Sequence, residues 1–209
     1  MNSKIYYWAF EGNEGTGKTT LSKAFASSCG AFWTYEPNGE TSDLKKLRDM
    51  ALTYSDQMTV YGREYINLAN RSIHQVNQVR PLLDNLETVV TDRSFLSGMV
   101  YARFNGISFK QFMEMSENAD IHLYPDFIIY CTSNKRKIVK GVKDIYDNAS
   151  EEELSHIDNY FVEALDFIKE YSITKHIRII YFENDFKVSS EKNNERLIKE
   201  IKEYLQESC

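Results

Sequence analysis

The segment Gly12-Asn13-Glu14-Gly15-Thr16-Gly17-Lys18-Thr19-Thr20 constrains the chain more than any other. Its spacing is G-x-x-x-x-G-K-T, the Walker A phosphate-binding loop. The apolar run Ile5-Tyr6-Tyr7-Trp8-Ala9-Phe10 before it reads as a strand, and Lys18 to Ser28 after it as a helix. In that order, backbone N–H groups converge on an anion at a helix N-terminus, where the aligned peptide dipoles add positive potential. Residues without a Cβ let the main chain turn tightly and approach phosphate oxygens, which is the use of Gly12, Gly15 and Gly17. Lys18 is placed to reach the β- and γ-phosphates of a nucleoside triphosphate, and the Thr19 hydroxyl to ligate Mg²⁺. Asn13, Glu14, Thr16 and Thr20 complete the ATP-binding segment.

Further strands are expected at Ala31–Tyr35, Thr88–Thr91, Asp126–Cys131 and Arg178–Phe182. Several are short apolar runs without strict alternation, as strands covered on both faces require. Helical patterns lie between them. Ser42 is a candidate cap for one helix and Ser150 for another, and Ser190 starts a third; Glu151 to Glu153 put acids in a first turn. A long helix is expected from about Gly62 to Leu83, kinked or ended by Pro81. Alternating strands and helices imply an α/β fold, a mostly parallel sheet with helices on both faces. The 209 residues suit a single domain spanning 1–209.

The formal charge is 25 − 31 = −6, which argues against a general nucleic-acid or anionic-membrane surface. The three cysteines, Cys29, Cys131 and Cys209, form no C-x-x-C pair and read as reduced thiols. No charged-then-apolar leader opens the chain, and no apolar run approaches membrane-span length. The expectation is a cytoplasmic protein.

A second chemical constellation is Val89-Val90-Thr91-Asp92-Arg93-Ser94, where a strand ends in an acid and a base. Ligands of open parallel sheets sit at the carboxyl ends of the strands. Asp92 is therefore placed to hold Mg²⁺ through water, and Arg93 to bind a phosphate. Tyr35-Glu36-Pro37-Asn38-Gly39 and Arg71 are candidates for a second phosphate-bearing ligand.

Taken in chain order, these segments resemble the thymidylate kinases of the P-loop nucleoside monophosphate kinase group. Phe10-Glu11-Gly12 through Thr20 is similar to that family's opening, and Tyr35-Glu36-Pro37-Asn38-Gly39 to its R-E-P-G-G segment. Leu47-Arg48, Leu68-Ala69-Asn70-Arg71, Asp92-Arg93-Ser94-Phe95-Leu96-Ser97-Gly98, Tyr124-Pro125-Asp126 and Asp144-Ile145-Tyr146-Asp147-Asn148 resemble its later elements. The resemblance implies a P-loop NTPase fold of three α/β/α layers, with a five-stranded parallel sheet and a small lid at about 136–150. It implies a homodimer acting on nucleotides. The implied reaction moves the γ-phosphoryl of ATP to a deoxypyrimidine monophosphate, with dTMP, dUMP or a modified pyrimidine as acceptor.

Residue by residue, the resemblance assigns Lys18 and Thr19 to ATP and Mg²⁺, with Lys18, Arg93, Asp92 and Glu14 as the catalytic set. Glu14 matches an acidic position near the acceptor's sugar and phosphate. Glu36, Arg48, Asn67, Arg71, Arg93, Ser97, Gly98 and Tyr101 match acceptor-site positions, and Tyr101 would pack against C2′. Arg136, Lys137, Lys140, Lys143 and Tyr146 belong to the lid region. The chain departs from the family pattern at Tyr35, where an arginine is usual, at Asn67, where an aromatic stacks on the base, at Ala102, where glutamine is common, and at Ile145.

Two other readings stay open from the sequence. A deoxynucleoside kinase also shows E-G-N-x-G-x-G-K-T-T, and Glu36 would then be the base that deprotonates a hydroxyl acceptor. A GTPase-type switch would place a guanine-reading N-K-x-D where Asn134-Lys135-Arg136-Lys137 stands.

Overall fold

The computed structural model describes residues 5–136 and 149–207. The strands are β1 (Tyr7–Glu11), β2 (Phe32–Tyr35), β3 (Val89–Asp92), β4 (Phe127–Thr132) and β5 (Arg178–Glu183). They form one sheet of order β2-β3-β1-β4-β5, and every pairing is parallel. The helices are α1 (Lys18–Cys29), α2 (Ser42–Thr53), α3 (Val60–His74), α4 (Arg80–Asp84), α5 (Phe95–Phe104), α6 (Phe109–Asn118), α7 (Glu151–Glu170) and α8 (Ser190–Glu207).

All five residues of β1 are buried, because both sheet faces are covered. Trp8 and Phe10 point to one face, where Leu21 and Phe25 of α1 and Leu197 and Ile201 of α8 meet them. Ala9 points to the other, which Leu68 of α3, Phe95 and Met99 of α5, Phe112 of α6 and Phe161 of α7 fill. This is the three-layer α/β/α arrangement the strand pattern implies. Phe127 sits at the centre of the first layer, stacked on Trp8 with ring centroids 4.0 Å apart, and Arg178 lies 3.9 Å over its other face.

The helix starts follow local chemistry. Ser150 and Glu153 form a reciprocal capping box at α7. Thr41, not Ser42, caps α2, accepting from Leu44 N at 3.3 Å. The helix expected from about Gly62 to Leu83 is present from Val60 to Asp84 without a gap, but a π turn at Gln75–Val79 divides it into α3 and α4. Pro81 has no N–H for the Asn77 carbonyl, so an α-helical ladder fails there. The chain widens instead, and Arg80 N reaches back to Gln75 O. The sequence pattern does not delimit α5 or α6; α5 is apolar all round because it is buried.

The order of the sheet fixes the site. β1 lies between β3 and β4, and Phe10 is in register with Asp92. The loops after β1 and β3 therefore emerge side by side at the carboxyl edge. Among the described residues no helix is long and apolar enough to cross a membrane.

Removing the stacked ring should leave a void on the α1/α8 face. Phe127→Ala is expected to cost about 3–5 kcal/mol of unfolding free energy in urea titration; a cost under about 1 kcal/mol would show that this stack is not part of the packed core.

Candidate active site

The loop between β1 and α1 is held from several sides. Gly17 caps α1 with φ 84°, and a Cβ there would lie 2.2 Å from Asn184 Nδ2. That amide donates to the Thr16 carbonyl at 2.9 Å, so a side chain at 17 would evict it. Thr16 Oγ1 donates to Asn13 O at 3.0 Å. Lys18 is buried, with Nζ 3.2 Å from the same carbonyl and 3.8 Å from Glu14 Oε2. Burial, then the nearby Arg93 charge, push its pKa down.

Asn13 belongs to the ATP-binding segment read from the sequence. Its main chain does belong to the loop, but its side chain turns away. Nδ2 donates to Leu154 O at 2.7 Å and to Asp158 Oδ1 at 2.8 Å, both on α7. A buried amide must satisfy its donors, and α7 supplies the acceptors. Asp158 also pairs with Arg136. The lid assignments Lys137, Lys140, Lys143 and Tyr146 lie outside the described residues.

Thr19 Oγ1 donates to Asp92 Oδ2 at 2.5 Å. Asp92 Oδ1 is buried with no hydrogen-bond partner among the described residues. A buried carboxylate oxygen without a donor is costly, and an oxygen-seeking divalent cation beside a hydroxyl ligand would satisfy it. Thr19 and Asp92 thus fit Mg²⁺.

Arg93 follows β3 in the left-handed region, φ 69°, uncommon for a residue with a Cβ. That turn aims its guanidinium at the loop after β1. Nη1 donates to Gly12 O at 3.3 Å and to Ser97 Oγ at 3.0 Å. Nη2 pairs with Glu14, and Tyr101 OH donates to Glu14 Oε1 at 3.2 Å. Burial raises the Glu14 pKa, but Arg93 and Lys18 outweigh it and the net shift is down.

Deeper in the cleft, Arg71 on α3 is buried. Its Nε donates to Glu36 Oε2 at 2.6 Å and its Nη2 to Ser94 O at 3.3 Å. His74 Nδ1 lies 3.2 Å from Glu36 Oε1, and its Nε2 lies 2.8 Å from Thr34 Oγ1. Arg48 Nη1 donates to Pro37 O at 3.1 Å.

Glu36, Arg48, Asn67, Arg71, Arg93, Ser97, Gly98 and Tyr101 all line one cavity. A second cavity holds Glu14, Lys18, Thr19 and Asp92, and shares Glu36, Pro37, Arg48 and Arg93 with the first. The two form a continuous cleft from the P-loop to α3. Ala102 does not line it; the residue is buried in the α5–α7 core.

A family model described as thymidylate kinase matches residues 10–190. The chain belongs to the thymidylate kinase family. A thymidylate kinase of Helicobacter acinonychis (strain Sheeba) is 29% identical over 163 residues, covering 74% of this chain and 79% of that one. One from Staphylococcus haemolyticus (strain JCSC1435) is 31% identical over 144 residues, covering 65% and 70%. The crystal structure of thymidylate kinase from Ehrlichia chaffeensis matches with a TM-score of 0.72 at 19% identity, covering 96% of this chain and 99% of that one. That last likeness is one of fold.

As a thymidylate kinase family member the chain is a nucleoside monophosphate kinase, a phosphotransferase whose family uses ATP. The Glu36 geometry agrees with this class over a nucleoside kinase. Burial opposes its ionisation, yet Arg71 and His74 hold its carboxyl below the usual range. A carboxylate so paired is a poor proton acceptor.

Several site groups escaped sequence reasoning. Glu11 is buried in β1 and accepts from Ser94 N and Oγ at 2.7 and 2.6 Å; an acid inside an apolar strand was the available signal. His74 escaped because its partners, Thr34 and Glu36, are remote in sequence, and Glu64 because nothing local marks an acid on an amphipathic helix as buried. Asn184 and Phe186 line a cavity with Gly17 and Thr20.

Glu36 has a depressed pKa, so its ionised form adds stability above the ordinary carboxylate range, and that stability is lost as pH falls through the folded value. Glu36→Gln should cost about 3–5 kcal/mol near neutral pH, because Arg71 loses its counter-ion; in urea titrations the deficit should shrink below about pH 4. A pH-independent deficit would contradict the ion pair. Gly98 sits where a Cβ would lie 2.7 Å from Arg71 Nη2 and 3.1 Å from Phe112 Cζ. Gly98→Ala should raise the acceptor KM on the order of 10-fold by shifting the guanidinium, read in steady-state kinetics; an unchanged KM would show that Arg71 does not position the acceptor.

Proposed function

We propose that this protein transfers the γ-phosphoryl of ATP to the 5′-phosphate of dTMP, giving dTDP and ADP for deoxynucleotide synthesis. The observation that carries this reading is the continuous cleft, with P-loop groups at one end and Arg71 and Asn67 of α3 at the other.

An acceptor phosphate oxygen is already anionic near neutral pH and needs no strong base. It attacks the γ-phosphorus, and the bond to the bridging oxygen of the leaving ADP breaks. The protein's task is positioning and charge neutralisation. Lys18 holds the donor phosphates. Arg93 and Arg48 hold the acceptor phosphate, and Glu14 keeps Arg93 aimed at the loop. Tyr101 packs against the sugar, and Ser97 fixes Arg93. Arg71 reaches the base, beside Asn67. The donor's adenine goes to the cavity at Thr20, Asn184 and Phe186. Thr19 and Asp92 would hold Mg²⁺, which when bound neutralises phosphate charge. Arg136, which pairs with Asp158 of α7, supplies a further cation toward the donor phosphates.

A homodimer rests on the outer side of α3 and the π turn after it, where Tyr61, Tyr65, Ile73 and Val76 are exposed, Tyr65 50% and Val76 58%. An exposed apolar strip of this kind is a surface that a second copy would cover. The single-domain reading rests on a sheet that takes strands from Tyr7 through Glu183. The cytoplasmic assignment rests on the free thiols of Cys29 and Cys131.

An ADP-release assay with ATP and Mg²⁺ tests the reading. dTMP should support turnover, and thymidine or no acceptor should not. Lys18→Ala should lower kcat at least about 100-fold with its melting transition retained. Thymidine-dependent turnover would instead make the protein a nucleoside kinase, and a folded Lys18→Ala protein with near-normal turnover would sink the P-loop assignment.

A further inference from the structure

Glu64 stands out among the groups that the reaction above does not use. It lies on α3, three residues before Asn67 and seven before Arg71, a spacing that puts all three on one helix face. That face lines the acceptor cavity. Glu64 is 6% exposed. Its Oε2 accepts from Asn67 Nδ2 at 3.5 Å, and its Oε1 is buried with no partner among the described residues. Arg71 Nη1 is also buried with no partner among the described residues, its ion pair being made by Nε with Glu36.

One wall of the cavity therefore carries two unmet hydrogen-bonding groups of opposite sense. Arg71 Nη1 is a donor and Glu64 Oε1 an acceptor. Burial raises the Glu64 pKa, with Arg71, Asn67 and Arg63 pulling against it, so the carboxyl is short of donors. A ligand edge with a carbonyl next to an N–H meets both needs. The phosphate cannot be that edge, since a carboxylate repels it. Its cations stand at the opposite end, where Arg93 and Arg48 border the Lys18 cavity.

We propose that Glu64 is a specificity residue that accepts the N3–H of a thymine or uracil base, beside a carbonyl held by Arg71. This rests on the reading of the cavity as the acceptor site. Asn67 orients the carboxyl through Oε2. The base is then read by charge and hydrogen bonding from α3. Methylation at N3, which removes the hydrogen, is rejected twice over, by the lost bond and by a carboxylate left buried without a donor.

The test is a substrate-by-mutant cycle. ADP release is measured with dTMP and with N3-methyl-dTMP, for the wild type, Glu64→Ala and Glu64→Gln, each checked for its melting transition. In the wild type N3-methylation should lower kcat/KM roughly 10- to 100-fold. Glu64→Ala should lower kcat/KM for dTMP by a similar factor, mostly through KM, and should shrink the methylation penalty to under about 5-fold. Glu64→Gln keeps the shape and an acceptor oxygen, so it should fall between the two and carries the test if the alanine variant unfolds. The same methylation penalty in wild type and both variants overturns the role of Glu64 while leaving the kinase reading intact. Absence of wild-type turnover with dTMP overturns both.

Discussion

Glu11 ends β1 with its carboxylate fully enclosed, and it accepts from the backbone N–H and hydroxyl of both Ser94 and Ser97 at the start of α5. Burial alone pushes its pKa up, while the serine hydrogen bonds and Arg93 pull it back. Such a group is tolerated inside a fold only when its lone pairs are met, and the positive end of a helix is a favourable place for it. The residue that roots the P-loop is therefore tied to the helix that begins just after Arg93. Arg93 N also donates to Phe10 O at 2.9 Å. The donor loop and the acceptor arginine cannot drift apart without breaking this buried cluster.

Charge in the cleft is arranged on the same plan. Arg93 is paired with Glu14, and Arg71 with Glu36. Lys18 sits between the Asn13 carbonyl and Glu14. Each cation is thus held in place before its ligand arrives, so little reorganisation is needed on binding. The acids also set the order of strength. Glu36 is sealed beneath Arg71, whereas the Glu14 side chain is 25% exposed. A phosphate dianion can compete with Glu14 for Arg93; it cannot reach past Arg71 to displace Glu36.

The parts that sequence made legible are those whose chemistry is local. The P-loop spacing, the Asp92-Arg93 strand end and the cap at Ser150 need only neighbours in the chain to be recognised. The strand positions follow from short apolar runs, because a parallel sheet buries both faces of β1, β3 and β4. The acceptor arginines and Gly98 became visible through a family pattern, since nothing local marks Arg71 as the floor of a cavity. What stayed hidden depends on distant partners. The Asn13 side chain is committed to α7, and the acceptors at Leu154 and Asp158 are far off in sequence. The π turn before Pro81 escaped because a proline predicts that a ladder fails, not how the chain resolves the failure.

The wall that reads the base must be firm, because a polar reader discriminates only if it cannot follow the wrong ligand. Asn70 supplies that firmness from the side of α3 turned away from the cleft's opening. Its Oδ1 accepts from Asn38 N at 2.9 Å, and its Nδ2 donates to Asn38 O at 2.8 Å and Leu44 O at 2.9 Å. One buried amide thereby fastens α3 to the turn after β2 and to the first residues of α2. Arg71 follows directly in the chain and is anchored again by Glu36, itself at the end of β2. The α3 helix is thus fixed to the segment after β2 and to α2 at two adjacent residues, one turn or two beyond Asn67 and Glu64. With the helix held there, replacing a flat aromatic surface at position 67 by an amide changes what the wall asks of a base. Stacking accepts any ring of suitable size, whereas Glu64 and Arg71 on a fixed helix ask for one particular hydrogen-bonding edge.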